Sequence, residues 1–190
     1  MARENFRVSG GLLAFIYTSM EIVKYSIDSY KEINKKLLKL IFEDKLGYIK
    51  TEGAEELYTD YQKTKIEYGK EFFPEIWPTL KDFIKTRYHK CLRVKNAWFQ
   101  SYTSNQYHGW HSHQSCQYSA VYFIALPSNM ATEFYDIEKK KIYRPKVKEG
   151  DLLIFPSCTL HRSGHNKTDH RKTVISFNFD ITDSFAPPGL

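Results

Sequence analysis

From Leu92 onward the apolar residues stop recurring at helical spacing and begin to alternate, and this change of period constrains the fold of the 190-residue chain more than any other feature. Short strands are predicted at about 92–102, 107–113, 117–126, 132–137, 141–145, 151–156, 159–163 and 172–180. Turn chemistry separates them at Thr103-Ser104-Asn105, Pro127-Ser128-Asn129, Glu149-Gly150-Asp151 and Asn166-Lys167-Thr168-Asp169. Eight short strands in succession predict a sandwich or barrel, because none is joined to the next by the long crossover that a parallel sheet needs.

The preceding half reads mainly as helix. Val23, Tyr25 and Ile27 alternate within a strand over 21–28. Ser29-Tyr30-Lys31-Glu32 then has the form of a capping box, with Ile33, Leu37, Leu40 and Ile41 as the apolar stripe of the helix it starts and Gly47 as its stop. A second helix is predicted over 54–68, carrying Leu57, Tyr58, Tyr61 and Tyr68 and closed by Gly69. A third starts at Pro78 and turns Leu80, Phe83, Ile84 and Tyr88 inward. Residues 1–20 have no period and read as an arm or irregular cover with at most a short strand. The fold class is therefore α+β, with helices laid on one face of a β-sandwich or barrel. One domain is expected over 1–190: helical support at 1–91, a strand core at 92–180 and a tail at 181–190.

Composition narrows the setting. A net charge of +6 and a pI near 9.0 favour anionic partners, nucleic acid included, but the lysines are spread along the chain instead of forming a track. Glu138-Lys139-Lys140-Lys141 and Asn34-Lys35-Lys36 read as solvated faces. Cys91, Cys116 and Cys158 make an odd count without paired spacing, which favours a reducing compartment, and the apolar run Gly11–Tyr17 is too short to span a membrane. The expected location is cytoplasmic.

The chemistry concentrates at Trp110-His111-Ser112-His113. Two histidines separated by one residue on a strand point to the same face and can grip one metal ion together. His161 follows the apolar run Leu152-Leu153-Ile154-Phe155, so a neighbouring strand can deliver a third imidazole to the same place. His108 precedes His111 by three residues and falls on the opposite face of a regular strand, which excludes it unless a bulge intervenes. His165 and His170 sit in a polar turn and read as exposed; His89 suits a helix C-terminus. Arg171 opens the next strand with a planar fork suited to a carboxylate, and Thr173 lies two residues on, on the same face.

At these residues the chain resembles the iron(II)- and 2-oxoglutarate-dependent oxygenases, and within them the small, prolyl-hydroxylase-like members with a His-x-His, a distant His and an Arg. The elements read His111-Ser112-His113, Ser119-Ala120-Val121-Tyr122-Phe123-Ile124, Gly150-Asp151-Leu152-Leu153-Ile154-Phe155-Pro156-Ser157, His161 and Arg171, and the likeness spans about residues 96–180. It implies a double-stranded β-helix, a cupin-like jelly roll with helices buttressing the major sheet. It also implies iron(II) held by His111, His113 and His161, and 2-oxoglutarate anchored by Arg171 with help from Tyr102 and Thr173. His113 stands where the usual facial triad has a carboxylate, and Glu133 and Asp136 do not fit that register, so a three-histidine site is the direct reading. The implied reaction hydroxylates a C–H bond of a protein or small molecule while oxygen and 2-oxoglutarate are consumed. Three other readings stay open: a nucleic-acid oxidative demethylase on the same site, a three-histidine dioxygenase independent of 2-oxoglutarate, and a non-catalytic jelly roll that keeps a metal for structure.

Overall fold

The structure, a computed structural model, describes residues 21–42, 49–50, 57–61, 68–87, 91–127 and 130–182. The expected arm at 1–20, the helix stop at Gly47 and the histidine at position 89 lie outside the described residues.

Strand β1 (Val23–Ser26) leads into helix α1 (Tyr30–Phe42), whose stripe of Ile33, Leu37 and Ile41 is buried. The Ser29 hydroxyl does not close a capping box; it donates to Glu75 Oε2 at 3.3 Å. Two short strands follow, β2 (Ile49–Lys50) and β3 (Tyr58–Thr59). The second corrects the helix expected over 54–68: Tyr58 and Thr59 pair with Ser101 and Gln100, and the buried Asp60 carboxylate accepts from the Phe99 amide at 2.8 Å. Sheet-edge hydrogen bonds outweigh a weak helical pattern there. Helix α2 (Gly69–Arg87) accordingly opens at Gly69 and runs through Pro74 and Pro78. Phe72, Ile76, Leu80 and Phe83 form its buried stripe, while both prolines lie on the exposed side, where water can serve the carbonyls they leave unbonded.

The remaining strands are β4 (Cys91–Tyr102), β5 (His108–His111), β6 (Tyr118–Ala125), β7 (Thr132–Asp136), β8 (Lys141–Tyr143), β9 (Asp151–Pro156), β10 (His161–Ser163) and β11 (Lys172–Thr182). They form two antiparallel sheets, one of seven strands in the order β1-β9-β6-β11-β4-β3-β2 and one of four in the order β5-β10-β7-β8. This is a β-sandwich. Its larger sheet is covered on both faces, which explains why β6 and β9 are buried almost throughout.

On the outer face of that sheet Phe72 packs on Tyr122 and Phe177, and Phe83 on Tyr118 and Phe179. Asn34 of α1 ties the same face down, donating to the Ile124 carbonyl and accepting from the Tyr122 hydroxyl, each at 2.7 Å. Between the sheets lie Tyr102, Val121, Phe123, Phe134, Leu153, Phe155 and Val174. β11 divides these two environments by parity: Thr173, Ile175, Phe177 and Phe179 meet the helices, whereas Lys172, Val174, Ser176 and Asn178 face inward.

Gly150 makes the turn into β9 at φ 83°, and a Cβ there would stand 2.3 Å from Tyr30 Cγ. Gly150→Ala should therefore cost about 2–4 kcal/mol, combining left-handed strain with a clash at the stem of Tyr30, as read from urea unfolding midpoints.

Candidate metal centre

β5 and β10 pair antiparallel, with His161 opposite His111 and Ser163 opposite His108. Three residue steps on β5 thus match two on β10, which is a bulge. The extra residue cancels the parity that put His108 on the far face, and its ring centroid lies 4.0 Å from that of His111. A regular strand excludes His108; with the bulge, it enters the cavity that His111, His113 and His161 line.

His111, His113 and His161 each offer a ring nitrogen, and these atoms lie within 4.8 Å of one another. The backbone fixes which nitrogen is offered. Nδ1 of His111 is 2.8 Å from the Gly109 carbonyl, and Nδ1 of His161 is 2.8 Å from the Thr159 carbonyl. A carbonyl only accepts, so each Nδ1 carries the proton and each Nε2 keeps its lone pair for the cavity. His113 lies beyond the end of β5 and is held by its amide, which donates to the Ser157 carbonyl at 2.8 Å. Burial pushes the His161 imidazole down to about 3 and His113 to about 4, with nearby imidazoles adding to both shifts. Neutral rings are the metal-binding form, so protons compete poorly at these two positions near neutral pH.

No carboxylate lines the cavity among the described residues, whereas Lys172 and Arg162 do. Lys172 is 1% exposed and donates to the Ser163 hydroxyl at 2.9 Å, its ammonium 5.4 Å from the centre of the Tyr102 ring. Burial lowers its pKa to about 7, and the charge of Glu133 opposes that shift. The acids near the site do not reach the histidines' cavity. Glu133 is clamped by Arg144 and Arg162, each at 2.6 Å, and Asp136 pairs with Lys139. The free space is about 30 Å³, room for an ion and a water, so a five-carbon diacid enters only as side chains along the walls give way.

The other expected residues separate by face. Tyr102 lines the cavity beside Lys172. Arg171 and Thr173 do not: Arg171 is exposed, stacks over Phe42 at 4.7 Å and donates to the Ser101 hydroxyl at 3.3 Å, while Thr173 Oγ1 meets that same hydroxyl at 3.2 Å. Both belong to the helix-facing parity of β11, so the cation inside is Lys172, one residue on. The missed signal was the polar stripe Lys172, Ser176 and Asn178, which alternates with Thr173, Ile175, Phe177 and Phe179. Tyr122 faces α1. His165 and His170 are exposed.

Comparison with known proteins follows this geometry. The sequence profile of the phytanoyl-CoA dioxygenase family (PhyH) matches residues 93–174, a segment that contains all three histidines and Lys172. A prolyl-4-hydroxylase from Pseudomonas putida superposes with a TM-score of 0.64 at 8% identity, covering 85% of this chain and 92% of its own. The chain carries the jelly roll of the iron(II)- and 2-oxoglutarate-dependent oxygenases. A viral collagen prolyl hydroxylase from Paramecium bursaria Chlorella virus-1, solved as its 2-oxoglutarate complex, shares this oxygenase fold with a TM-score of 0.58 at 13% identity, over 83% of this chain and 94% of that one. HygX from Streptomyces hygroscopicus, solved with nickel and 2-oxoglutarate bound, gives 0.64 at 11% identity, over 84% and 82%. Among curated proteins no sequence matches significantly. The resemblance drawn from the histidine pattern thus extends to the fold. No helix among the described residues is long and apolar enough to cross a membrane.

Lys172 is the costly residue of this cavity. With a pKa near 7 in the fold against an ordinary 10.5, its ammonium opposes folding by on the order of 5 kcal/mol below pH 7, and the penalty fades as pH rises from 7 toward 10.5. Lys172→Met should raise the melting temperature of the metal-free protein by several degrees at pH 6–7 and by little near pH 10, measured by thermal unfolding across that range.

Proposed function

We propose that this protein is an iron(II)- and 2-oxoglutarate-dependent dioxygenase that hydroxylates a C–H bond, with His111, His113 and His161 as metal ligands and Lys172 as the anchor of the diacid. One observation carries the reading: three imidazole nitrogens converge in a cavity whose charged walls are Lys172 and Arg162, with no acid lining it among the described residues. Three neutral ligands leave a divalent ion its full charge, and with Lys172 beside it the cavity favours a dianionic partner.

Each residue has a definable task. The Gly109 and Thr159 carbonyls hold the rings of His111 and His161 in the tautomer and orientation that expose Nε2. Lys172, supported by the Ser163 hydroxyl, meets the distal carboxylate, and Tyr102 walls that end of the cavity. Phe134 and Phe155 pack edge to face behind His161, their ring centres 4.9 Å apart, and keep water from the back of the site. When bound, iron and 2-oxoglutarate together supply the oxidising equivalent, oxygen being consumed as the keto acid loses carbon dioxide and becomes succinate. The 2-oxoglutarate that accompanies nickel in HygX is the cosubstrate we assign to this chain, with iron(II) as its metal.

The all-imidazole ligand set also suits a dioxygenase that needs no 2-oxoglutarate, and Lys172 is what favours the diacid over that alternative. An anion next to the ammonium favours its protonated form, so binding takes up a proton when Lys172 starts neutral.

Two measurements test the assignment. Anaerobic protein with iron(II) and 2-oxoglutarate should develop a visible charge-transfer band, and succinate release should fall at least a hundredfold in His111→Ala and His161→Ala; release at the parent rate by either variant would remove the ligand assignment. Lys172→Met should raise the KM for 2-oxoglutarate at least tenfold, Arg171→Ala by less than threefold, and the parent's affinity should weaken as pH rises above about 7. The reverse ranking of the two variants would return the anchor to Arg171.

A further inference from the structure

His108 shares the cavity with the three histidines yet differs from them in how it is held. Its ring lies against that of His111 at a centroid distance of 4.0 Å and a tilt of 34°. His108 is outside the group whose nitrogens lie within 4.8 Å of one another.

Its hydrogen bonding differs as well. Nδ1 of His108 stands 3.1 Å from Gln100 Nε2, and Gln100 Oε1 accepts from the Ser176 hydroxyl at 3.0 Å. With the amide oxygen taken by that hydroxyl, the amide NH2 is the group turned to His108, so Nδ1 accepts. A neutral imidazole that accepts at Nδ1 carries its proton at Nε2. His111 and His161 have the opposite arrangement, protonated at Nδ1 through their carbonyl partners. The chain thus holds two tautomers side by side: rings that offer lone pairs, and one that offers an N–H.

We propose that His108 is not a fourth ligand but a hydrogen-bond donor, positioned by Gln100 and Ser176 to reach a carboxylate oxygen of the acid that binds beside the metal. This rests on the reading above, in which a metal ion and 2-oxoglutarate occupy the cavity. The bulge in β5 is what makes it possible, because without the extra residue His108 would face away from the cavity. A donor next to the acid strengthens anion binding without adding a charge, in a cavity already carrying Lys172 and Arg162.

The test uses the whole chain under anaerobic conditions, titrated first with iron(II) and then with 2-oxoglutarate while the visible band is followed. His108→Ala should keep its iron affinity within about threefold of the parent, bind 2-oxoglutarate about tenfold more weakly and shift the band position. His108→Gln, which retains an N–H donor, should recover most of that affinity, and Gln100→Leu should reproduce the loss in part. Iron loss in His108→Ala as complete as in His161→Ala, with an unchanged melting temperature, would make His108 a ligand and overturn the proposal. Unchanged 2-oxoglutarate affinity and band position would overturn it equally. A parent that binds iron but not 2-oxoglutarate would instead remove the dioxygenase reading and this inference with it.

Discussion

Two backbone carbonyls, those of Gly109 and Thr159, each accept a hydrogen bond from Nδ1 of the histidine two residues ahead, and the site depends on that repeated contact. His111 and His161 are directly opposed on neighbouring strands, so the same local device acts twice across one pair. It leaves both rings with lone pairs aimed into the sandwich. Burial disfavours the charged imidazolium at His161 and holds the ring in the neutral form that a metal ion needs.

The β-sandwich was legible from residue 92 onward because short alternating or wholly apolar runs are separated there by turn residues, and every strand predicted there has a counterpart. The histidine trio was legible because one-residue spacing on an extended chain is a parity statement for His111 and His113, and because His161 follows the apolar run of a neighbouring strand. What the sequence concealed were one departure from simple parity and one consequence of it. His108 enters through a bulge, and a bulge leaves no mark in an apolar pattern when its extra residue is Gly109 or Trp110. Arg171, the anchor that the resemblance implies, shares the parity of the apolar run Ile175-x-Phe177-x-Phe179, which turns it to the helices, and Lys172, one residue on, lines the cavity. The helix expected across Tyr58 failed for a different reason: the free edge of β4 offered backbone partners that no local pattern reveals.

Stability and function pull against each other at Lys172. A fully buried amine with one hydroxyl partner is an unfavourable core residue, and the surrounding Tyr102 and Phe123 rings compensate only in part. The helix-facing side of the same sheet carries the opposite chemistry, a run of interlocked aromatic rings from Phe72 to Phe179 that needs no ligand to be complete. The outer layer supplies the stability that the inner one spends.

The clamp on Glu133 has a consequence for how the cavity fills. Two guanidinium groups hold Glu133 on the four-stranded sheet, so the interior presents only positive or neutral groups to an arriving ion. A divalent cation entering alone climbs an electrostatic slope, whereas one that arrives with a counter-anion, or after one, does not. Loading of such a chamber is thermodynamically cooperative between opposite charges, each guest lowering the barrier for the other.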